Sequence, residues 1–263
     1  MSSVDAFREA PYRSIKQDTY FTCYDKLLTP YIGKSPVVVD VGVLSGGSLF
    51  MWRDFFGSGA RIIGVELNPT ATKWRDHGFE IFIGDQSSDA FWDDFFQQVG
   101  NVDILIDDGG HTNFQQLKTL HKAIPHVRDG GVILIEDTHA SYMGNFGNPS
   151  KYSFMNFCAN AVHSINDRYF YKKPKNLIRD NVSSLEIFEG ISAFKIDRRL
   201  CKKSSLIDNG GENDHAIDMQ VGDVAMMRNA LWANSKIVSK FQRKSKRVKE
   251  RLLSFKNCRQ FFS

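Results

Sequence analysis

Five short apolar runs, separated by stretches with helical spacing, constrain this chain to a fold that alternates strands and helices. The runs lie at residues 37–43, 61–67, 79–85, 102–108 and 131–137. Helices are expected near 47–56, 70–76, 88–98 and 113–124. The runs are rich in β-branched residues and lack polar alternation, which is typical of parallel strands covered on both faces. Because connections between such strands cross over in a right-handed sense, we predict an α/β fold with a doubly wound, mainly parallel sheet.

The segments before and after these strands and helices are predicted to complete one domain at residues 1–235. Two further strand candidates, 184–190 and 192–198, are separated only by a short turn and indicate an antiparallel hairpin at one edge of the sheet. Residues 1–35 contain a predicted helix and are expected to cap the sheet or a pocket. Residues 140–180 are aromatic and polar and are interrupted by glycine and proline, so we interpret them as a lid or a substrate-facing insertion.

Charge is distributed unevenly along the chain. The formal net charge is +4, but residues 236–263 hold ten lysines and arginines against one glutamate, which leaves −5 for residues 1–235. Apolar side chains in this tail recur at separations of 4, 7, 4 and 3, as they do on one face of a helix. We predict a basic amphipathic C-terminal helix that packs on its own domain or on a second subunit of a homo-oligomer. A nucleic-acid or membrane-surface role is the disfavoured alternative.

Composition bears on the compartment and on the classes of site. The hydrophobic share of 42% is ordinary for a globular domain, and no stretch is long enough to span a bilayer. The start of the chain lacks the basic and apolar regions of a signal peptide, so a cytoplasmic location is expected. The four cysteines are scattered without a CxxC pair, which indicates neither a zinc knuckle nor a disulfide framework.

A glycine-rich turn, DVGVLSGGS at 40–48, follows the first predicted strand and leads into a helix. Glycine permits close approach of the backbone to a ligand, and a helix N-terminus offers free N–H groups. The glycine spacing resembles the first motif of Rossmann-like methyltransferases that bind S-adenosylmethionine. That resemblance implies cofactor contacts from this turn, and the residues concerned are Asp40, Gly42, Ser45, Gly46, Gly47 and Ser48.

Polar side chains end the next two predicted strands. Glu66 can accept hydrogen bonds from both hydroxyls of a ribose, while Asp85 and Gln86 lie where such enzymes hold the edge of the adenine. Each acidic group has an alternative. Asp40 could cap the following turn, Glu66 could be a solvated strand end, and Asp85 could be the N-cap of the next helix.

Two acidic clusters, IDDGGH at 106–111 and IEDTH at 135–139, follow the fourth and fifth predicted strands. Because the carboxyl ends of parallel strands meet at the ligand-binding edge of a sheet, these clusters can bring Asp108, Glu136 and Asp137 onto one hard divalent cation. No lysine or arginine adjoins either cluster in the sequence. Like charges without compensation favour a cation over salt bridges as their explanation.

The chain also resembles a family over about two fifths of its length. The family is that of class I O-methyltransferases of the macrocin and mycinamicin type, together with the related cephalosporin hydroxylase-like proteins. The matching segments are DVGVLSGGSLFMW (40–52), GVELNP (64–69), GFEIFIGDQS (78–87), ILIDDGGHT (104–112) and GGVILIEDTHASY (130–142). The resemblance implies S-adenosylmethionine as cofactor, a Mg²⁺ ion on Asp108, Glu136 and Asp137, and His111 as the base.

The implied reaction is chemically consistent with these residues. A sugar or phenol hydroxyl is a poor nucleophile at neutral pH, and coordination to Mg²⁺ lowers its pKa and orients it. An imidazole is well matched to taking up the proton near pH 7. We therefore predict a Mg²⁺-dependent methyl transfer from S-adenosylmethionine to a hydroxyl of a sugar or another small natural product.

Two other functions are kept as alternatives. A non-haem iron hydroxylase would need two histidines and one carboxylate on the metal, and His111 and His139 are the two candidates. A non-catalytic protein of this fold could instead bind nucleic acid or a partner through its basic tail. His139 and the aromatic residues of 140–180 are candidates for the acceptor pocket, although the aromatic residues could equally belong to the core.

Overall fold

The structure is a computed structural model that describes residues 1–146, 151–169 and 174–212. The chain divides into two compact units, Met1–Ser205 and Leu206–Ser263. In the second unit, the described residues 206–212 are exposed and have no regular secondary structure. The predicted basic helix at 236–263 and the predicted boundary at 235 lie outside the described residues. Within the described ranges, no helix has the length and apolar character needed to cross a membrane.

A seven-stranded mixed sheet forms the centre of the first unit. Its strands are β1 (Val37–Val41), β2 (Arg61–Glu66), β3 (Glu80–Ile83), β4 (Val102–Asp107), β5 (Val127–Ile135), β6 (Val182–Phe188) and β7 (Ile191–Ile196). They lie in the order β3-β2-β1-β4-β5-β7-β6. Strands β1 to β5 are parallel, and β7 runs antiparallel to both β5 and β6. The predicted mainly parallel sheet with an antiparallel edge hairpin is thus confirmed.

Helices cover both faces of this sheet. They are α1 (Ser3–Glu9), α2 (Tyr20–Leu28), α3 (Gly47–Phe56), α4 (Asp89–Val99), α5 (Asn113–Ala123), α6 (Phe154–Asn166) and α7 (Leu177–Asn181). Several begin at a side-chain cap, and Thr112 forms a capping box with Gln115 at the start of α5. The helix predicted near 70–76 is instead a 3-10 helix, Pro69–His77, which begins at a proline and is capped by Asn68.

Two buried clusters lie on opposite faces of the sheet, because successive strand side chains point to opposite faces. In β1, Val38 packs with α1, α2 and α3, whereas Val39 packs with α4, α5 and α6. The same alternation in β5 places Leu134 on the first face and Ile135 on the second. This period of two decides which side chains beyond the strand ends face which helices.

Helix α6 lies within the segment that the sequence suggested as a lid. Its buried residues Phe154, Cys158 and Ala161 are spaced as one face of a helix and belong to the second core cluster. This helix is therefore a core element rather than a mobile cover. Cys158, like Cys23, is a buried free thiol, and Cys201 is free as well.

Candidate active site

The strand order reverses between β1 and β4, and a cavity of about 430 Å³ lies beyond the carboxyl ends of the strands there. Such a reversal point is where open α/β sheets bind ligands. The turns after β1 to β5 line the cavity, and residues 13–15 of the segment between α1 and α2 complete it. The predicted residues that line it are Gly42, Ser45, Ser48, Glu66, Asp85, Gln86, Asp108, His111 and Asp137.

The turn after β1 has a backbone that only glycine accommodates easily. Gly42 has a φ of +96°, and a Cβ atom there would lie 2.1 Å from the carbonyl oxygen of Asp108. The backbone after β1 therefore contacts the backbone after β4 directly. Two residues later, Leu44 has a positive φ of 44° although it carries a side chain.

Glu66 is held in a fixed position at the end of β2. Its Oε2 accepts a hydrogen bond from the N–H of Leu44 at 2.8 Å. Its Oε1 accepts from the N–H groups of Leu67 and Asn68 at 2.8 and 3.0 Å. These bonds use three of the roughly four acceptor sites of the carboxylate, so Oε2 can still accept a hydroxyl donor from a ligand in the cavity.

Three of the predicted cofactor residues do not line the cavity. Asp40 shares the face of Val38, where it is fully buried and accepts hydrogen bonds from Ser48 Oγ at 2.6 Å and Trp52 Nε1 at 3.2 Å. Burial raises the pKa of Asp40 to about 6, although Lys16 and the bond from Ser48 counteract this. Asp40 thus stabilises the turn from the protein interior and does not line the ligand cavity.

The other two are glycines that permit close packing behind the cavity. A Cβ on Gly46 would lie 2.3 Å from the ring of Trp74, and one on Gly47 would lie 2.3 Å from the carbonyl oxygen of Tyr12. The segment that contains Tyr12 therefore passes directly over the start of α3.

Gln86 lines the cavity but its amide is directed into the protein. It accepts from the N–H of Gly110 at 2.7 Å and donates to Asp107 at 3.0 Å and to Thr119 at 3.1 Å. Asp107 is buried, and this burial raises its pKa to about 6. Gln86 and Asp107 together hold the loop after β4, and Asp85, whose carboxylate accepts from the N–H of Ser87, lies at the cavity wall.

Asp108, His111 and Asp137 converge at the far side of the cavity. One ligand atom from each lies within 4.8 Å of the others, and His111 Nε2 is 3.4 Å from Asp137 Oδ2. Both His111 and Asp137 adopt left-handed backbone conformations, with φ of 57° and 51°. Strained backbone of this kind concentrates at functional sites. Two carboxylates with an adjacent imidazole fit a hard divalent cation, since Mg²⁺ needs only one or two protein carboxylates.

Glu136 does not join this group, which corrects its predicted position. The alternation along β5 places it on the face of Leu134, where its side chain is fully buried. There its Oε2 accepts from Lys16 Nζ at 2.7 Å and its Oε1 from the Tyr24 hydroxyl at 2.6 Å. Burial raises the pKa of Glu136, and the nearby Lys16 only partly offsets this effect.

Lys16 also corrects the expectation that the acidic clusters lack a basic partner. Its Nζ donates to Asp108 Oδ2 at 2.8 Å as well as to Glu136, and its side chain is 1% exposed. Burial by itself would lower the pKa of Lys16, but the carboxylates of Glu136, Asp108 and Asp40 outweigh it and raise the pKa.

A third residue from the same region orients Asp137. The Tyr20 hydroxyl donates to Asp137 Oδ1 at 2.5 Å. Lys16, Tyr20 and Tyr24 were all missed by the sequence analysis, because they precede the clusters by about a hundred residues. The one signal for them was their spacing of four residues, which puts polar ends along one side of a predicted helix.

The remaining acceptor-side candidates have different positions. The Phe146 ring packs edge-on to His111, with 6.2 Å between the ring centroids. Tyr142 is 65% exposed, whereas Phe154 belongs to the core. His139 is absent from the cluster of potential metal ligands that the described residues form. The pair of histidines that an iron hydroxylase requires is therefore not brought together in this part of the chain.

Comparison with known proteins agrees with this arrangement. Residues 39–138 match a family described as a methyltransferase domain. Over these residues the chain is similar to methyltransferase domains. The match begins in β1 and ends just after Asp137, so it includes the strand ends that line the cavity.

Curated proteins similar to this chain confirm the resemblance seen in the motifs. The mycinamicin VI 2''-O-methyltransferase of Micromonospora griseorubida is 34% identical over 135 residues, which is 47% of this chain and 32% of that protein. The 8-demethyl-8-alpha-L-rhamnosyl tetracenomycin-C 2'-O-methyltransferase of Streptomyces olivaceus is 30% identical over 135 residues, 49% of this chain and 35% of that protein. The chain spans about a third of the length of the curated relatives it matches.

The fold of a solved structure matches this chain beyond residues 39–138. MycE methyltransferase from the mycinamycin biosynthetic pathway, in complex with Mg, SAH and mycinamycin VI, superposes with a TM-score of 0.70 at 22% sequence identity. The superposition covers 87% of this chain and 59% of MycE. The mainly parallel sheet with its antiparallel edge therefore has the same fold as MycE.

Proposed function

We propose that this chain is a Mg²⁺-dependent O-methyltransferase that moves the methyl group of S-adenosylmethionine to a hydroxyl of a sugar or another small natural product. The observation that carries the proposal is that Glu66 lines one side of the cavity and Asp108, His111 and Asp137 line the other side of the same cavity. The names of the relatives, which are sugar O-methyltransferases, support the acceptor class.

In this proposal the strand ends of β1 to β3 hold the methyl donor. Glu66 binds the ribose hydroxyls, because three backbone N–H groups fix its carboxylate against the cavity. Gly42, Ser45 and Ser48 contact the remainder of the donor, and Asp85 lies where the adenine edge is expected. The positively charged sulfonium already activates its methyl group, so positioning supplies most of what the transfer needs.

The strand ends of β4 and β5 activate the acceptor. His111 takes the hydroxyl proton on Nε2 as the oxygen attacks the methyl carbon. Asp137, 3.4 Å from that nitrogen, stabilises the imidazolium that results. Asp108 and Asp137 would hold Mg²⁺, which when bound supplies Lewis-acid stabilisation of the charge that develops on the hydroxyl oxygen.

The proposal is tested by titration calorimetry with S-adenosylhomocysteine, with and without MgCl₂. The wild-type protein should bind the compound, and Glu66→Gln should bind it about tenfold more weakly, because an amide cannot accept from all of the same donors. The matched control is Glu186→Gln, which alters a carboxylate on β6 that pairs with Lys26.

Methyl transfer is then measured by mass spectrometry with S-adenosylmethionine, MgCl₂ and glycosylated macrolides as acceptors. A product heavier by one CH₂ unit is the expected result. A wild-type protein that is folded yet binds no S-adenosylhomocysteine would overturn the proposal.

A further inference from the structure

Lys16 is a buried cation that none of the local motifs of the site contains. It lies in the segment between α1 and α2 and contacts Asp108 on the β4 side and Glu136 on the β5 side, at 2.8 and 2.7 Å. A buried ammonium is tolerated only when it is paired, and here two carboxylates from neighbouring strands pair with it. The Nζ atom therefore occupies the position between the Asp108 and Glu136 carboxylates, where a metal cation could otherwise bind.

Glu136 has no oxygen directed toward the cavity. Lys16 takes Oε2 and the Tyr24 hydroxyl takes Oε1, and the side chain is fully buried. Asp108 differs from it, because Lys16 contacts only its Oδ2 and the residue lines the cavity. Asp108 and Asp137 thus remain accessible from the cavity while Glu136 is not.

The formal charges support the same division. Asp108, Glu136 and Asp137 contribute three negative charges, and Lys16 offsets one of them. The remaining charge of −2 on these four side chains is what a single divalent cation neutralises.

We propose that Lys16 is a positioning residue that occupies Glu136 and thereby restricts the metal of the site to Asp108 and Asp137. This inference rests on the proposed function and makes it more specific, since it removes Glu136 from the metal ligands that the sequence indicates. Lys16 acts through the carboxylates and does not itself line the cavity.

The test measures Mn²⁺ affinity by electron paramagnetic resonance, with Mn²⁺ as a spectroscopic substitute for Mg²⁺. Glu136→Gln keeps the shape of the side chain, and its amide oxygen can still accept from Lys16 while its NH₂ donates to the Tyr24 hydroxyl oxygen, so Mn²⁺ affinity should stay within about threefold of wild type. Asp137→Asn is the matched comparison and should weaken Mn²⁺ binding about tenfold or more, because it removes charge from a ligand.

Lys16→Met supplies the complementary result. Loss of the ammonium leaves the facing oxygens of Asp108 and Glu136 available to a cation, so Mn²⁺ affinity should rise about tenfold. The double variant Lys16→Met with Glu136→Gln should return to wild-type affinity, and this coupling is what a merely structural role would not produce. Thermal melting shows which variants are folded. The comparison of Glu136→Gln with Asp137→Asn tests the inference even if Lys16→Met does not fold.

Three results would overturn the inference, and two of them concern the variants. One is a Glu136→Gln variant that loses Mn²⁺ affinity as strongly as Asp137→Asn, and the other is a folded Lys16→Met variant without tighter Mn²⁺ binding. A wild-type protein that binds S-adenosylhomocysteine but no Mn²⁺ would overturn it as well. Failure of the proposed function is distinguishable, because it appears as loss of S-adenosylhomocysteine binding by the wild type.

Discussion

At the residue scale, the backbone at His111 decides how its role can be tested. Its φ of 57° lies in the left-handed region, which asparagine tolerates better than other residues with side chains. His111→Asn therefore removes the base with little added strain. We expect methyl transfer to fall about 10²- to 10⁴-fold while affinity for S-adenosylhomocysteine is unchanged.

The measurement is a single-turnover methyl-transfer assay beside calorimetry, and His163→Asn on the exposed side of α6 is the control. An His111→Asn variant with wild-type turnover would show that another group takes the proton.

Asp40 makes stability depend on pH. Burial raises its pKa to about 6 from a usual value of 3.8, so the folded protein holds this proton more tightly than the unfolded chain. The resulting stabilisation is fully present below about pH 4 and is lost as the pH rises through about 6. Relative to Asp40→Asn, the wild-type free energy of unfolding should fall by about 3 kcal/mol at most between pH 4 and pH 7.

Urea denaturation of both proteins across this pH range gives that difference directly. Any hydrogen bond that the asparagine loses to Ser48 or Trp52 adds a constant offset that does not vary with pH. A difference that is flat from pH 4 to 7 would contradict the assignment.

Residue identity at the strand ends was predictable from the sequence, but side-chain direction was not. Glu66, Asp108, His111 and Asp137 line the cavity as the motifs indicated. Glu136 does not, because the alternation of β5 continues one residue beyond the strand and turns its side chain toward α2. The alternation can be read from GVILIED, but neither acidic motif indicates the ammonium of Lys16 that pairs with Glu136.

At the scale of elements, α6 shows how a core helix can be hidden in a sequence. Phe154 is fully buried and packs against Phe194 of β7 at 6.3 Å between ring centroids. Phe154→Ala should therefore lower the free energy of unfolding by about 3 to 5 kcal/mol, through lost burial and the cavity that remains. Removal of a side chain from a mobile lid would have almost no such effect.

Urea denaturation measures this change, and Val162→Ala on the exposed face of the same helix is the control. That variant should stay within about 0.5 kcal/mol of the wild type. If Phe154→Ala is no less stable than Val162→Ala, α6 does not pack on the sheet in solution.

Elements with strong periodicity were predictable, and those with interrupted patterns were not. The five parallel strands and the hairpin follow from dense β-branched runs, which pack well only on a pleated sheet. The segment before α6 contains Gly144, Gly147 and Pro149, and these obscured the helical spacing of the residues that follow. In the same way, β5 begins at Val127, four residues before the predicted run at 131–137.

At the scale of the whole molecule, the donor and acceptor halves meet at Gly42. A Cβ there would lie 2.1 Å from the carbonyl oxygen of Asp108, and the φ of +96° is unfavourable for alanine. Gly42→Ala must therefore displace the turns after β1 and β4 together. We expect affinity for S-adenosylhomocysteine and for Mn²⁺ to fall together, each by about tenfold or more.

Calorimetry and paramagnetic resonance on the same preparation measure the two affinities. The control for backbone strain is Gly57→Ala, because Gly57 also has a positive φ but a Cβ there meets no atom within 4 Å. Loss of one affinity without the other would show that the halves respond independently.

The ion pair of Lys16 with Glu136 joins residues 120 positions apart in the sequence, and the ion pair of Lys16 with Asp108 joins residues 92 positions apart. Both acidic motifs therefore reach the ribosome exit long after the lysine that completes them, and the site cannot mature until β5 has joined the sheet. The motifs are for the same reason not portable. A graft of IDDGGH and IEDTH onto another parallel sheet would transfer the carboxylates and leave behind the ammonium that pairs with them.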